Sequence, residues 1–394
     1  MKNAWSHPTA MTLASAPAPH TQSHARPNAR LAVGRRNSES AYRRVIDCPC
    51  TSMRIWYHNR GRIEEGGLPS IAETRFQMVQ LVFPEDISPR GTLYGGRMMY
   101  WIATAGTLTA SRCARGPVVL GAMDDLDFLH PVHLGEIVTV SSQVEYIGRA
   151  SLELGVEVHS EHPRTGMRRK TTSSHMAFIA LDEREHPRQV GTVITPASDV
   201  EAAAHAAAAA RKAARTARVR ATGVPEDLVG VDDLAVGRSV RLSRLVMPED
   251  ALSGTLMFAG KLLATLDEIA AISAIRYCHL PTVTASLDTV YFYHPLRVGQ
   301  VADLRAVLTH VGRSSMEIGV RVDGEEPRTG RRHHTCTAFL TMVHLDADGR
   351  PAPVPTFTPQ TPEERRLWRE AEARRVQRRA RVAQLRERVG YDVR

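Results

Sequence analysis

Hydrophobic residues in this chain gather in two blocks, and the pattern changes in the same order along each. A short apolar run, Phe76–Phe83 in the first block and Val240–Met247 in the second, reads as a strand. A turn follows at Pro84-Glu85-Asp86 and at Pro248-Glu249-Asp250. A glycine-containing segment then opens a long helix: Gly95-Gly96-Arg97-Met98-Met99-Tyr100-Trp101-Ile102-Ala103 in one block, Ala259-Gly260-Lys261-Leu262-Leu263-Ala264-Thr265-Leu266-Asp267 in the other. Both helices are apolar on most sides, the pattern of a buried helix. Val118–His130, Ile137–Ile147, Ser151–His159 and Arg169–Leu181 have alternating or mixed patterning and read as strands, with Gly135 and Gly148 between them. The expected product is α+β: one long central helix wrapped by an antiparallel sheet, made twice.

The blocks are copies of each other. Pro84-Glu85-Asp86 returns as Pro248-Glu249-Asp250, His130-Pro131 as His294-Pro295, Gly148-Arg149 as Gly312-Arg313, and Pro163-Arg164-Thr165-Gly166 as Pro327-Arg328-Thr329-Gly330, always 164 positions later. The unit is too long for a solenoid, whose repeats run to roughly 20–50 residues. Two copies of one domain can pair about a pseudo-twofold axis as the subunits of a homodimer do. Positions where the copies differ then show which half kept its chemistry.

Composition narrows the class. The chain is 43% hydrophobic and 24% charged with a net charge of +9, and no run approaches the roughly 18 apolar residues of a membrane span. Residues 1–72 hold 10 Lys/Arg against 4 Asp/Glu, and residues 361–394 hold 11 against 6, which leaves 30 against 32 between them. The two copies are therefore near neutral, which argues against a nucleic-acid-binding face. Five scattered cysteines point to a reducing compartment without a disulfide framework. Neither Cys48-Pro49-Cys50 nor the 17 histidines offer zinc-like spacing, so no metal is expected. Residues 1–40 are basic and acid-poor like a transit peptide, but disorder or a misplaced start accounts for them equally, and a cytoplasmic protein is expected.

Glu201–Arg220 is almost all Ala and Arg and favours helix; it reads as a spacer. Thr361-Pro362-Glu363-Glu364 has the form of an N-cap, a first-turn proline and an acid three residues on. An Arg-rich helix should follow, its charges a solvated face. The expected organisation is an extension (1–72), a first domain (73–185), an Ala/Arg-rich linker (186–236), a second domain (237–350) and a basic C-terminal helix (351–394).

The turn-to-helix stretch of copy one reads Pro84-Glu85-Asp86-Ile87-Ser88-Pro89-Arg90-Gly91-Thr92-Leu93-Tyr94-Gly95-Gly96, then Met98, Met99, Trp101 and Ile102. With Asp127-Phe128-Leu129-His130-Pro131-Val132 and Gly312-Arg313-Ser314-Ser315-Met316-Glu317, it resembles the acyl-CoA thioesterase family whose chains carry two hotdog domains in tandem. The resemblance covers about residues 74–182 and 238–346 together with the tail helix. It implies two hotdog domains paired as a pseudo-dimer, hydrolysis of acyl-CoA to fatty acid and CoA, and no cofactor beyond the CoA of the substrate. It also implies a homo-oligomer, commonly a trimer of such chains.

In this family an Asn in the turn of one domain meets an Asp on the helix of the other. Copy one has Ser88 and Ala103 at those positions, and copy two has Leu252 and Asp267. The composite site of Ala103 with Leu252 has lost both polar groups, while that of Ser88 with Asp267 keeps two. One degenerate and one working site are therefore expected. Thioester hydrolysis needs an activated water and a stabilised oxyanion. Asp267 suits the general base, since burial raises a carboxyl pKa toward the working range. Backbone N–H groups near Gly95 and Gly96 would form the oxyanion platform, and Ser88 would orient water or carbonyl in place of the Asn. Copy two offers the more crowded Phe258-Ala259-Gly260. By family analogy Arg149, Arg313 and Ser315 are the candidates for CoA contact. The competing reading is a catalytically silent hotdog protein that binds acyl-CoA for sensing or assembly.

Overall fold

Each hydrophobic block folds as its period dictates. The computed structural model describes residues 46–47, 54–58, 68–222, 228, 239–252 and 254–389. The Cys48-Pro49-Cys50 pair and most of the extension lie outside them. Within the extension, β1 (Ile46–Asp47) and β2 (Arg54–His58) nonetheless form strands, and β2 pairs with the first strand of copy one.

Copy one continues with β3 (Phe76–Leu81), α1 (Gly95–Ala114), β4 (Val118–Met123), β5 (Leu126–Asp127), β6 (Ile137–Ile147), β7 (Ser151–Glu161), β8 (Arg168–Ala180) and α2 (Asp199–Thr222). Copy two repeats the order as β9 (Ser239–Leu245), α3 (Ala259–Cys278), β10 (Thr282–Leu287), β11 (Val290–Tyr291), β12 (Val301–Val311), β13 (Ser315–Glu325), β14 (Arg332–His344) and α4 (Pro362–Val389). The central helices are buried as their patterning demands. Met98, Met99, Trp101 and Ile102 of α1 and Leu262, Leu263, Leu266 and Ile269 of α3 are all at most 4% exposed. Burying each such side chain contributes about 1.5–3 kcal/mol. Both helices end on a residue in the left-handed region, Arg115 and His279. The result is two tandem hotdog domains.

The stretch Val118–His130, expected as one strand, is broken at Asp124-Asp125. The Asp125 carboxylate accepts the N–H and hydroxyl of Thr289 at 2.8 and 3.0 Å. The chain then crosses to the other copy, where β5 pairs with β10 while β11 pairs with β4. The sheets run β1-β2-β3-β6-β7-β8-β4-β11 and β5-β10-β14-β13-β12-β9. Each copy thus lends an edge strand to the other, which sets the two domains face to face.

The expected spacer and solvated tail are both corrected. α2 docks on copy one, where Arg211 reaches Glu145 (2.5 Å) and Arg215 reaches Glu153 (2.8 Å) and Asp124 (3.0 Å). α4 docks on copy two, where Arg374 and Arg378 hold the buried Glu317 and Arg378 reaches Asp288 (3.3 Å), while Arg381 reaches Asp127 and Asp125 of the crossing strand from copy one (both 2.7 Å). Glu153 and Asp124 are the counterparts of Glu317 and Asp288, 164 positions apart. Each helix therefore belongs to the domain before it, with one arginine face turned inward. The expected start of α4 is present as a capping box: the Thr361 hydroxyl accepts the Glu364 N–H, and the Glu364 carboxylate accepts the Thr361 N–H, both at 3.1 Å.

Candidate active site

The first turn of α1 lies against the middle of α3, and the contact is made by glycine. A Cβ on Gly96 would stand 3.0 Å from the Asp267 Cβ and 3.1 Å from both the Cα and the carbonyl oxygen of Ala264. A Cβ on Gly95 would stand 2.7 Å from the Cβ of Thr284. The two helices approach this closely because neither glycine has a side chain. Gly96→Ala is expected to force them apart and cost about 1–3 kcal/mol, the usual range for overpacking. Thermal unfolding measured alongside turnover would read it, and an unchanged melting temperature would show that the crossing has slack.

Asp267 sits at this crossing, 4% exposed. One oxygen, Oδ2, accepts the Gly96 N–H at 2.7 Å, a bond spanning 171 positions of chain. The other, Oδ1, accepts the Thr284 hydroxyl at 2.5 Å. Burial pushes the carboxyl pKa up, and the bonds from Thr284 and Gly96 offset part of that rise. The structure thus brings Asp267 of copy two to the glycine turn of copy one.

Thr284 was missed in the sequence. Its counterpart is Leu120, so the pair Leu120/Thr284 repeats the contrast seen at Ala103/Asp267 and Ser88/Leu252, and a full comparison of the copies would have found it. The oxyanion expectation also needs revision, because the Gly96 N–H is committed to Asp267. Gly95, the first residue of α1, has no acceptor within the helix for its N–H. Ser88 is buried in the turn before α1. Its hydroxyl lies 3.2 Å from that of Thr92 and accepts the Arg90 N–H at 3.3 Å, both within its own turn.

The CoA candidates lie elsewhere. Arg149 and Arg313 are exposed in turns. Ser315 lines a cavity of about 410 Å³ under α4, together with Arg375, Arg378 and Arg379. Among the described residues no group of three or more His, Cys, Asp and Glu could hold a metal.

The Thioesterase superfamily sequence profile matches residues 90–167 and 254–331, one match in each copy. A Bacillus subtilis protein named uncharacterized acyl-CoA thioester hydrolase YkhA is 46% identical over 125 residues, 32% of this chain and 72% of that protein. The chain belongs to the double-hotdog acyl-CoA thioesterase family. Mouse acyl-coenzyme A thioesterase 11 is 32% identical over 79% of this chain. Rat cytosolic acyl coenzyme A thioester hydrolase is 28% identical over 77% of it. The chain spans 55% of the mouse protein and 83% of the rat one. Against the family signature, the Asp position is kept in copy two only, and the Asn position in neither copy.

Proposed function

We propose that this chain hydrolyses acyl-CoA thioesters to fatty acid and CoA at one composite centre, with Asp267 as the general base. The observation that carries the proposal is the carboxylate of one copy, buried and bonded to the glycine turn of the other. A water beside Asp267 loses its proton to the carboxylate and attacks the thioester carbonyl carbon. Charge developing on the carbonyl oxygen is met by the Gly95 N–H and the positive end of α1. The C–S bond then breaks and the CoA thiolate leaves, taking up a proton. Thr284 positions the carboxylate. The pseudo-equivalent centre has Ala103, Leu120 and Leu252 in place of Asp267, Thr284 and Ser88 and performs no hydrolysis.

Release of CoA from acyl-CoAs of several chain lengths tests this directly. Thr284→Ala is expected to lower kcat by about 10- to 100-fold, the worth of a hydrogen bond to a charged group. It should also move the acid limb of the pH–rate profile upward, because the Thr284 bond lowers the Asp267 pKa. An unshifted limb would place Thr284 outside the reaction.

A silent acyl-CoA-binding protein is the second reading. It is favoured by Ser88, whose hydroxyl is engaged inside its own turn. Tight binding of acyl-CoA without CoA release would establish it. Cytoplasmic residence and assembly as a trimer of chains belong to the main proposal. The first is supported by relatives named cytosolic, and among the described residues no helix is long and apolar enough to cross a membrane.

A further inference from the structure

The Asp267 centre leans on the strand that copy one lends to copy two. Thr284 lies on β10, and just after it the pairing with β14 slips. Thr284 pairs with Met342 and Ser286 with Thr341, which leaves Ala285 as the extra residue of a β-bulge. Bulges beside active sites re-aim the neighbouring side chain. The Ala285 carbonyl accepts the Phe128 N–H at 2.9 Å, and Asp127 and Leu126 of β5 pair with Ser286 and Leu287. The lent strand therefore fixes the bulge that presents the Thr284 hydroxyl to Asp267.

β5 is only two residues long, and so short a pairing contributes little stability by itself. Its anchor comes from α4. Arg381 meets the buried Asp127 through two bonds, at 2.7 and 3.0 Å, and reaches Asp125 at 2.7 Å on the other side of Leu126. The same guanidinium stands 3.5 Å from Asp288 of copy two. A planar fork of donors suits this grip on carboxylates.

The pseudo-equivalent centre has the same backbone and a different anchor. β11 pairs with β4, and the Phe292 N–H reaches the carbonyl of Gly121, the counterpart of Ala285. Asp125 and Asp127 are replaced there by Thr289 and Tyr291, which carry no charge. Arg218, which recurs as Arg381, lies over the Tyr291 ring, 5.5 Å from its centroid. The acidic strand thus stands on the side that keeps Asp267 and Thr284, and the uncharged one on the side of Ala103 and Leu120.

We infer that Arg381 is a positioning residue of the Asp267 centre: clamped to Asp127, it holds β5 and the β10 bulge so that Thr284 keeps its bond to the carboxylate. The inference rests on the reading that this centre hydrolyses acyl-CoA. Burial and Glu268 raise the Asp267 pKa, and the Thr284 hydroxyl and Gly96 N–H lower it. Of these the clamp reaches Thr284. Losing the clamp should therefore slow the reaction and move the Asp267 titration upward together.

The test is the double variant Arg381→Met/Asp127→Asn in the full chain. It removes one charge of each sign, so the net charge is unchanged and Asp127 is not left buried without its partner. The expected kcat is about tenfold lower, the low end of the loss expected for Thr284→Ala, with KM within about threefold. The acid limb of the pH–rate profile should move up, and NMR titration of the aspartate carboxyl carbons should show the same rise at Asp267 without turnover. Added to Thr284→Ala, the double variant should lower kcat by less than about twofold more and raise the titration no further, because both act through one bond. Arg381→Lys should recover part of the lost kcat, and Arg218→Met should leave both readings unchanged. Lower stability with kcat and the carboxyl titration unmoved would overturn the inference. So would additive losses with Thr284→Ala, or equal losses from Arg218→Met. Absent CoA release in the wild-type protein would end the hydrolysis proposal separately, while the carboxyl titration still reads the clamp.

Discussion

Asp267→Asn is expected to lower kcat/KM for acyl-CoA by about 10²- to 10⁴-fold, the range for a positioned general base. Asparagine keeps the shape of the side chain. Its carbonyl oxygen can still accept the Gly96 N–H, and the Thr284 hydroxyl can rotate to accept from the amide. The loss should therefore fall on chemistry while the fold persists, and urea unfolding of the variant separates the two. Ala103→Ser, at the pseudo-equivalent position, should leave turnover unchanged; equal losses at both positions would end the single-centre proposal. The pH dependence has a definite sign. Burial raises the Asp267 pKa above its ordinary value of 3.8, and only the ionised form accepts a proton. Activity should therefore rise with pH through an inflection above the usual aspartate range. A raised pKa also means the native state binds more protons than the unfolded chain within that window. The stability contributed by Asp267 should therefore fall as pH climbs from about 3.8 through the raised value, read as the change with pH in the stability difference between the wild-type protein and the asparagine variant.

Glu317→Ala should destabilise copy two by about 3–5 kcal/mol, the cost of leaving the partners of a buried ion pair uncompensated. Glu317 is 2% exposed and anchors α4 through Arg374 and Arg378. Its carboxyl is pulled in two directions. Burial raises the pKa, but Arg374, Arg378 and the Thr309 hydroxyl together outweigh burial and hold it below 4.5. The stability it contributes is therefore fully present above pH 4.5 and is lost as pH falls through the lowered value. Urea unfolding at neutral pH checks the magnitude. A change under about 1 kcal/mol, the worth of an exposed pair, would restore the reading of α4 as a solvated tail.

These two residues differ in how far they could be read in advance. Asp267 stood out because it falls at the family's Asp position on a largely apolar helix and its counterpart 164 positions earlier is Ala103. Glu317 gave no such signal, since a glutamate on an alternating strand reads as a surface residue. The arginines that meet it were hidden by a register slip. Arg211, Arg215 and Arg218 of α2 recur as Arg374, Arg378 and Arg381 of α4 at a spacing of 163, one short of the offset that links the domains. A comparison at fixed offset therefore leaves both helices looking like unrelated linker and tail. The break at Asp124-Asp125 was hidden for a similar reason. The apolar run continues on both sides of it, and the partner that rewards the break, Thr289, belongs to the other copy.

Linear order alone determined that this protein is one domain written twice, each with a buried helix inside an antiparallel sheet, and that the two copies differ at Ser88/Leu252 and Ala103/Asp267. Hydrophobic period and repeat offset carry that information because burial is set by local spacing. Which polar groups meet was decided only in three dimensions. The Gly96 N–H turned out to hold Asp267 instead of standing free, Thr284 completed the pair, and the two arginine helices closed over buried acids. Those partners lie far apart along the chain, and a hydrogen bond depends on distance and direction in space, which no pattern of residue types along a strand or helix records.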